Sequence, residues 1–536
     1  MDRIVIVGSG ASGVHFALSV LRKGYDVTLL DVGYPKTPAV NPDDSFTNLK
    51  RNLDDPVRYF LGANYEGVVL PDVESEYYGI PPSKEYVFRS PAGLDYGTQG
   101  FVPLFSFAQG GLAEVWTGGC YPFNDEELGD FPFRYDDIEP YYSEVARRVG
   151  VCGTADDLAR LFPVHDHLLE PLELDLHSEL LLAAYKQRKQ FLNKTLRCFL
   201  GRSRVATLSQ DRGARKRCTY LGRCLWGCPT DSLYTPSITL AECRQYPNFT
   251  YVPNMRVTHF KVDSRNRVTA AVAAAVAGGE TQEFSAARLV LAAGALSSSR
   301  IYLESIRRRT GEVVRLRGLM DNRQILVPFV NLGLIGTAYN PDTYQYHQLC
   351  MGIETDDPKG YIHGQITTMK TAMLHPVVQN LPCDLKTALF LVRNMHCALG
   401  VVNINLYDTR REGNYATLEV DGASRQSRLI INYAPAHKEN TRIKQSIRMI
   451  RKALRKLGCI VPPGMVHIRP MGASVHYAGT LPMSRKKSPF TTSAHCQSHD
   501  FENLFIVDGT TFPFLPAKNV TFTLMANAIR VAEEAF

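Results

Sequence analysis

Ile4-Val5-Ile6-Val7 runs directly into Gly8-Ser9-Gly10-Ala11-Ser12-Gly13, and this junction constrains the fold more than any other stretch of the chain. A short continuous run of β-branched apolar residues marks a strand covered on both faces, as in a parallel sheet. A helical pattern follows from Ala11 to Lys23, with Val14, Ala17, Leu18 and Leu21 on one face, and stops at Gly24. Val27 to Leu30 gives the next strand, which ends at Asp31. Gly8, Gly10 and Gly13 meet three needs of such a unit: a tight turn, close approach of backbone to a pyrophosphate, and close packing of helix on strand. The free N–H groups at the helix start, around Ala11 and Ser12, favour an anion. Asp31, 18 residues past Gly13, is placed to accept hydrogen bonds from ribose hydroxyls. The segment reads as a dinucleotide site rather than as a merely tight turn, although the glycines alone do not separate NAD from FAD.

At 536 residues the chain asks for more than one folding unit. With 45% hydrophobic and 21% charged residues it can bury a core, which excludes wholesale disorder. Sixty Lys+Arg against 53 Asp+Glu leave +7, and like charges form no block longer than triplets such as Arg307-Arg308-Arg309. Nucleic acid is therefore not an expected partner. Twelve cysteines without framework spacing fit a reduced compartment. Met1 to Val7 enters a strand at once, without the basic and apolar regions of a secretory signal, so a cytoplasmic location is expected. The longest uncharged stretch, Gln324 to Pro341, is broken by Pro328, Asn331, Gly333 and Gly336 and reads as buried strands, not as a transmembrane span.

Further along, residues 32 to 105 are rich in Pro, Gly, Asp and Tyr and read as long connections. Arg134 to Val149 reads as a helix, with Asp136-Asp137 in its first turn and Arg147-Arg148 in its last. Strands are expected at Arg256 to Lys261, Arg267 to Ala275, Gln282 to Phe284 and Arg288 to Ala292, then a helix from Leu296 to Ser305. Residues 310 to 470 alternate short strands with helices near Asp384 to Cys397 and Lys438 to Leu457 and carry no nucleotide motif. The chain closes with a strand at Leu504 to Val507 and a helix from about Val520 to Ala535.

The C-terminal run Asn503 to Pro513, continued by Pro516 to Arg530, is joined by Arg288 to Ser298 and by Val475-His476-Tyr477-Ala478-Gly479-Thr480-Leu481-Pro482-Met483. Together these blocks resemble the glucose-methanol-choline (GMC) flavoprotein oxidoreductases, in the expected order at both ends of the chain, while residues 310 to 470 carry no such block. The resemblance implies an α/β fold: a Rossmann-type FAD-binding domain of discontinuous sequence, approximately 1–150, 206–300 and 471–536, plus a mixed-sheet substrate-binding domain, 151–205 and 301–470. It implies FAD contacts from Val257, Ala293 and Gly294, and from Asp508 and Gly509 at the ribityl or pyrophosphate region. The helix starting at Val520 and Thr521 would aim its positive end at the flavin pyrimidine.

His476 matches the family histidine that faces flavin N5 and handles the proton of the substrate hydroxyl. Asn519 matches its partner position. Hydride transfer from a carbinol carbon builds positive charge unless the hydroxyl proton leaves, and an imidazole that titrates near neutral pH can take it. Asn519 would orient the hydroxyl oxygen. Ala108 to Gly119, with Gly110, Gly111, Val115 and Trp116, is similar to the Gly-rich stretch of the sugar-oxidising, pyranose-oxidase-like branch. Some of those relatives attach FAD through a histidine just before the Trp. Val115 stands there in this chain, which implies non-covalent FAD.

Cys218, Cys224 and Cys228 echo cluster spacing, but no fourth cysteine lies closer than Cys198 or Cys243, so no metal is expected. Arg215-Lys216-Arg217 reads as a solvated basic edge. The expected activity is FAD-dependent oxidation of a hydroxyl of a sugar or glycosylated metabolite. A non-sugar alcohol, polyol or sterol is the alternative substrate, and oxygen, a quinone or another carrier the electron acceptor. A non-catalytic flavoprotein scaffold would have no need for both His476 and Asn519.

Overall fold

The structure is a computed structural model that describes residues 3–65, 67, 81–278, 281–369, 378, 381–423 and 426–536. Parts of the expectations for 32–105 and 310–470 lie outside the described residues.

A five-stranded parallel sheet runs in the order Leu504–Ile506, Arg288–Leu291, Arg3–Val7, Asp26–Leu30, Phe249–Val252. Ile4, Val5 and Ile6 sit at its centre with no exposed surface, because helices and a second sheet cover both faces. On one face, helix Ala11–Arg22 packs against the C-terminal helix Thr521–Ala535, which also contacts Tyr135–Val149. On the other lie the antiparallel strands Met255–Val262, Val268–Ala275 and Thr281–Ser285, and helix Ala295–Thr310. Among the described residues no helix is long and apolar enough to cross a membrane.

A larger sheet, wholly antiparallel rather than mixed as expected, is built from Arg323–Asn331, Leu399–Leu406, Ile362–Thr368, Leu349–Ile353 and Cys198–Arg202, with Cys459–Ile460 and His467–Ile468 on its edge. Pro328 sits inside the first of these strands although it has no N–H to give. It is tolerated because it falls between the two short edge partners, which pair at Ile325–Leu326 and at Val330–Asn331. Helices Leu176–Thr195 and Glu439–Lys456 close one face of this sheet. The first has no counterpart in the sequence reading: Leu176, Leu180 and Phe191 are exposed and blur the stripe made by Leu181, Tyr185 and Leu192. Asp175 caps it by accepting a hydrogen bond from Ser178 N at 2.7 Å, an interaction worth about 1 kcal/mol. Arg215 is not a solvated basic residue: its guanidinium donates to the carbonyls of Val149, Asp231 and Ser232 and ties the loop to the helix end.

Candidate active site

Between the two sheets lies a cavity of about 660 Å³ whose wall begins at Val7 and Gly8 and continues to Asn519, Val520 and Thr521. Gly8 has φ +100°, and a Cβ there would stand 2.6 Å from Ala292 O. A Cβ on Gly13 would lie 2.1 Å from Gly8 O, so this glycine lets the helix sit against the turn. Gly10 is different, with nothing nearer than Ala292 O at 4.0 Å. The space in front of it belongs to the cavity, and no side chain caps the helix start. The open helix N-terminus and the bare backbone at Gly10 fit a pyrophosphate.

Asp31 ends its strand on the cavity wall and is buried. It accepts hydrogen bonds from Ser9 Oγ and, at 3.1 Å, from Tyr251 Oη, while Ser9 Oγ also accepts from Gly110 N at 2.9 Å. Burial pushes the Asp31 carboxyl up to about 7 against the pull of these donors. Asp508 accepts from Gly294 N at 3.0 Å, from Ser298 Oγ at 2.5 Å and from Thr510. Its carboxylate, pushed up to about 6 by burial, organises the turns at Ala293–Gly294 and Gly509. Val257, Ala293, Gly294, Asp508 and Gly509 all line the cavity, as do Ala11, Ser12, Gly111, Val115 and Trp116. Trp116 donates Nε1–H to Tyr234 O at 2.7 Å. Gly13 and Gly110 stand behind the wall. Gly110, at φ +93°, leaves room for Glu114.

His476 is 9% exposed and donates or accepts at Nδ1 with Asn322 Oδ1 at 2.9 Å. The amide of Asn322 settles the direction. Its Nδ2 donates to Leu406 O at 3.0 Å and Pro516 O at 2.9 Å, so Oδ1 can only accept and the imidazole proton resides on Nδ1. Nε2 is then left with its lone pair. Burial lowers the His476 imidazole to about 4, so it is neutral at ordinary pH rather than titrating near 7 as the sequence suggests. Ser474 Oγ accepts from His476 N at 3.1 Å and itself donates to buried Asp321, which also holds Gly472 N at 2.6 Å. Asn519 Oδ1 accepts from Gln365 Nε2 at 2.6 Å, which leaves the Asn519 Nδ2 donors for another partner. Beneath it, Lys518 is fully buried and paired with Glu127 at 2.5 Å. Asn322 and Gln365 are absent from the sequence reading. The polar run Asp321-Asn322-Arg323-Gln324 ahead of an apolar strand is the one signal that points to the first of them.

Asn322→Asp should place a carboxylate on Nδ1, stabilise the imidazolium and move the acid limb of activity from about pH 4 toward neutrality. A pH–rate profile of the purified variant checks this, and an unmoved limb would show that Asn322 does not set the proton on His476.

This fold and site define a dinucleotide-binding oxidoreductase whose cavity is also lined by a neutral histidine and an asparagine. Residues 411–528 match the family described as GMC oxidoreductase. The whole chain is similar to paromamine 6′-oxidase of Streptomyces fradiae, with 23% identity covering 99% of this chain and 90% of the relative. It is similar to C-glycoside 3-oxidase of Microbacterium trichothecenolyticum at 24% identity, covering 99% and 95%. Among solved structures, a FAD-dependent oxidoreductase from Chaetomium thermophilum aligns with a TM-score of 0.57 at 14% identity, covering 99% and 98%. The C-terminal part of the chain is thus similar to the GMC oxidoreductases, and its whole length is similar to proteins named as oxidases.

Proposed function

We propose that the chain oxidises a secondary or primary hydroxyl of a sugar or glycosylated metabolite, with His476 as general base and Asn519 as its hydrogen-bonding partner. The observation that carries the reading is the tautomer of His476, whose Nε2 lone pair is fixed by Asn322 beside a cavity also lined by Asn519. FAD, held non-covalently by the residues from Gly8 to Asp31 and from Ala293 to Gly294, supplies the two-electron acceptor. His476 Nε2 takes the hydroxyl proton while the carbon gives up its hydride. Asn519 Nδ2 donates to the hydroxyl oxygen and keeps it in line with that base, and Gln365 holds the amide in this orientation. The start of helix Thr521–Ala535 faces the cavity and favours negative charge there.

The sugar is favoured over a simple alcohol by the relatives, whose names give paromamine and C-glycosides as what they oxidise. The cofactor part takes 1–150, 206–300 and 471–536, and the remaining segments cover the reacting face. An anaerobic panel of sugars, polyols and simple alcohols, followed by the bleaching of the flavin bands, tests the activity. No bleaching with any of them would overturn it. Val115 offers no atom for a covalent link, so trichloroacetic acid should release all the flavin into the supernatant. Yellow colour kept in the precipitate would refute non-covalent binding.

A further inference from the structure

Besides Gln365, which pairs with Asn519, the roof of the cavity carries polar groups that neither His476 nor Asn519 uses. Backbone register sets Leu326, Asn403 and Gln365 abreast on three neighbouring strands, so their side chains share one face of the sheet. Leu326, Asn403, Gln365 and Thr367 line the cavity, and so does His347, which precedes strand Leu349–Ile353. His347 is 1% exposed, and its Nε2 has no hydrogen-bond partner among the described residues. The Oδ1 of Asn403 is buried in the same condition. Gly119 keeps the wall thin between them and the loop: a Cβ there would stand 3.2 Å from His347 Nε2 and 3.1 Å from Gln365 Nε2. Buried polar atoms without partners are costly, so a site that keeps two of them gains when a ligand pairs them. Burial holds the His347 ring near 3, so it stays neutral and can donate from one nitrogen and accept at the other. Asn403 Oδ1 can only accept, which rules out a carboxylate, and one hydroxyl can donate to it while accepting a hydrogen bond from His347 Nε2–H.

We propose that His347 and Asn403 form a second hydroxyl-recognition subsite, which makes the enzyme selective for polyhydroxylated substrates that present a further hydroxyl to the roof while the reacting one lies at His476 and Asn519. The proposal rests on the alcohol-oxidising reading above. It adds that a hydroxyl away from the reacting carbon is read directly.

The test compares wild type, His347→Leu and His347→Gln with whichever of D-glucose, D-xylose and paromamine reduces the flavin fastest, with monodeoxy derivatives of that compound, and with cyclohexanol as a monohydric alcohol. In wild type, one derivative that is still oxidised should show kcat/KM at least about tenfold below the parent, since a site built around a hydroxyl rejects the analogue lacking it. His347→Leu should lose about the same factor with the parent and show no further loss with that derivative, whereas His347→Gln should regain part of it. Calorimetric binding of the derivative that is not oxidised should weaken in step, with FAD content unchanged. Equal kcat/KM across the oxidised derivatives in wild type, or undiminished discrimination in His347→Leu, would overturn the subsite. The wild-type series decides alone if the Leu variant fails to fold. Reduction by cyclohexanol but by no polyol would overturn the subsite and leave the alcohol-oxidising reading standing. Inertness toward every alcohol would overturn both.

Discussion

His476→Ala lowers the rate of anaerobic flavin reduction by about 10²- to 10⁴-fold, the usual contribution of a general base, while FAD stays bound. The pH dependence identifies the group. Because burial lowers the imidazole to about 4, the base is present above that pH and is lost as pH falls through it. Wild-type reduction should therefore be level through the neutral range and drop only toward about pH 4, and the variant should lack that limb. Asn519→Ala should cost less, since it removes an orienting donor and leaves the proton acceptor. The double variant should lose less than the sum of the two, because both groups act on one hydroxyl. Wild-type bleaching in His476→Ala with normal FAD content would end the assignment.

Asp31→Ala raises the dissociation constant for FAD by tens of fold, the equivalent of about 1.5–3 kcal/mol for hydrogen bonds to a charged group. The sign with pH follows from the raised carboxyl. In the cofactor-free protein burial holds Asp31 at about 7, above its ordinary 3.8, so ionising it opposes folding. That cost is absent below the ordinary value and grows as pH rises to 7. Ribose hydroxyls donate to the ionised form, so FAD should bind more tightly as pH rises toward 7 and less tightly as it falls below. Asp31→Asn should flatten this dependence. Titration of apoprotein with FAD at several pH values, followed by flavin fluorescence, measures both effects. Unchanged affinity in Asp31→Ala would remove the Gly8–Asp31 segment as the adenosine site.

The first 31 residues were legible because every local signal agrees: a strand with two covered faces, a glycine turn, a helix and a terminal acid in unbroken order. Those residues lie close in sequence and in space. The candidate site was legible only in part. His476 and Asn519 carry motif context, whereas Asn322, just ahead of strand Arg323–Asn331, and Gln365, on strand Ile362–Thr368, act through single side chains, and only the pairing of Arg323–Asn331 with Leu399–Leu406 and of the latter with Ile362–Thr368 brings them together. His476 illustrates a second limit. Its residue type predicts titration near neutrality, and only the surrounding burial moves it. Helix Leu176–Thr195 was missed because its apolar residues are divided between core and solvent.

In chain order the lining of the cavity runs from Val7 to Leu524, and helix Ala11–Arg22 packs against the last helix of the chain. On a ribosome adding about 5–20 residues per second, tens of seconds separate the synthesis of these two elements. During that interval helix Ala11–Arg22 has chiefly the short helix Pro236–Cys243 to cover part of its face, and the edge strand Leu504–Ile506 does not yet exist. Because the last helix helps to line the cavity, cofactor capture is expected to follow its synthesis. Expression yield should accordingly depend on chaperone supply more than on FAD supply.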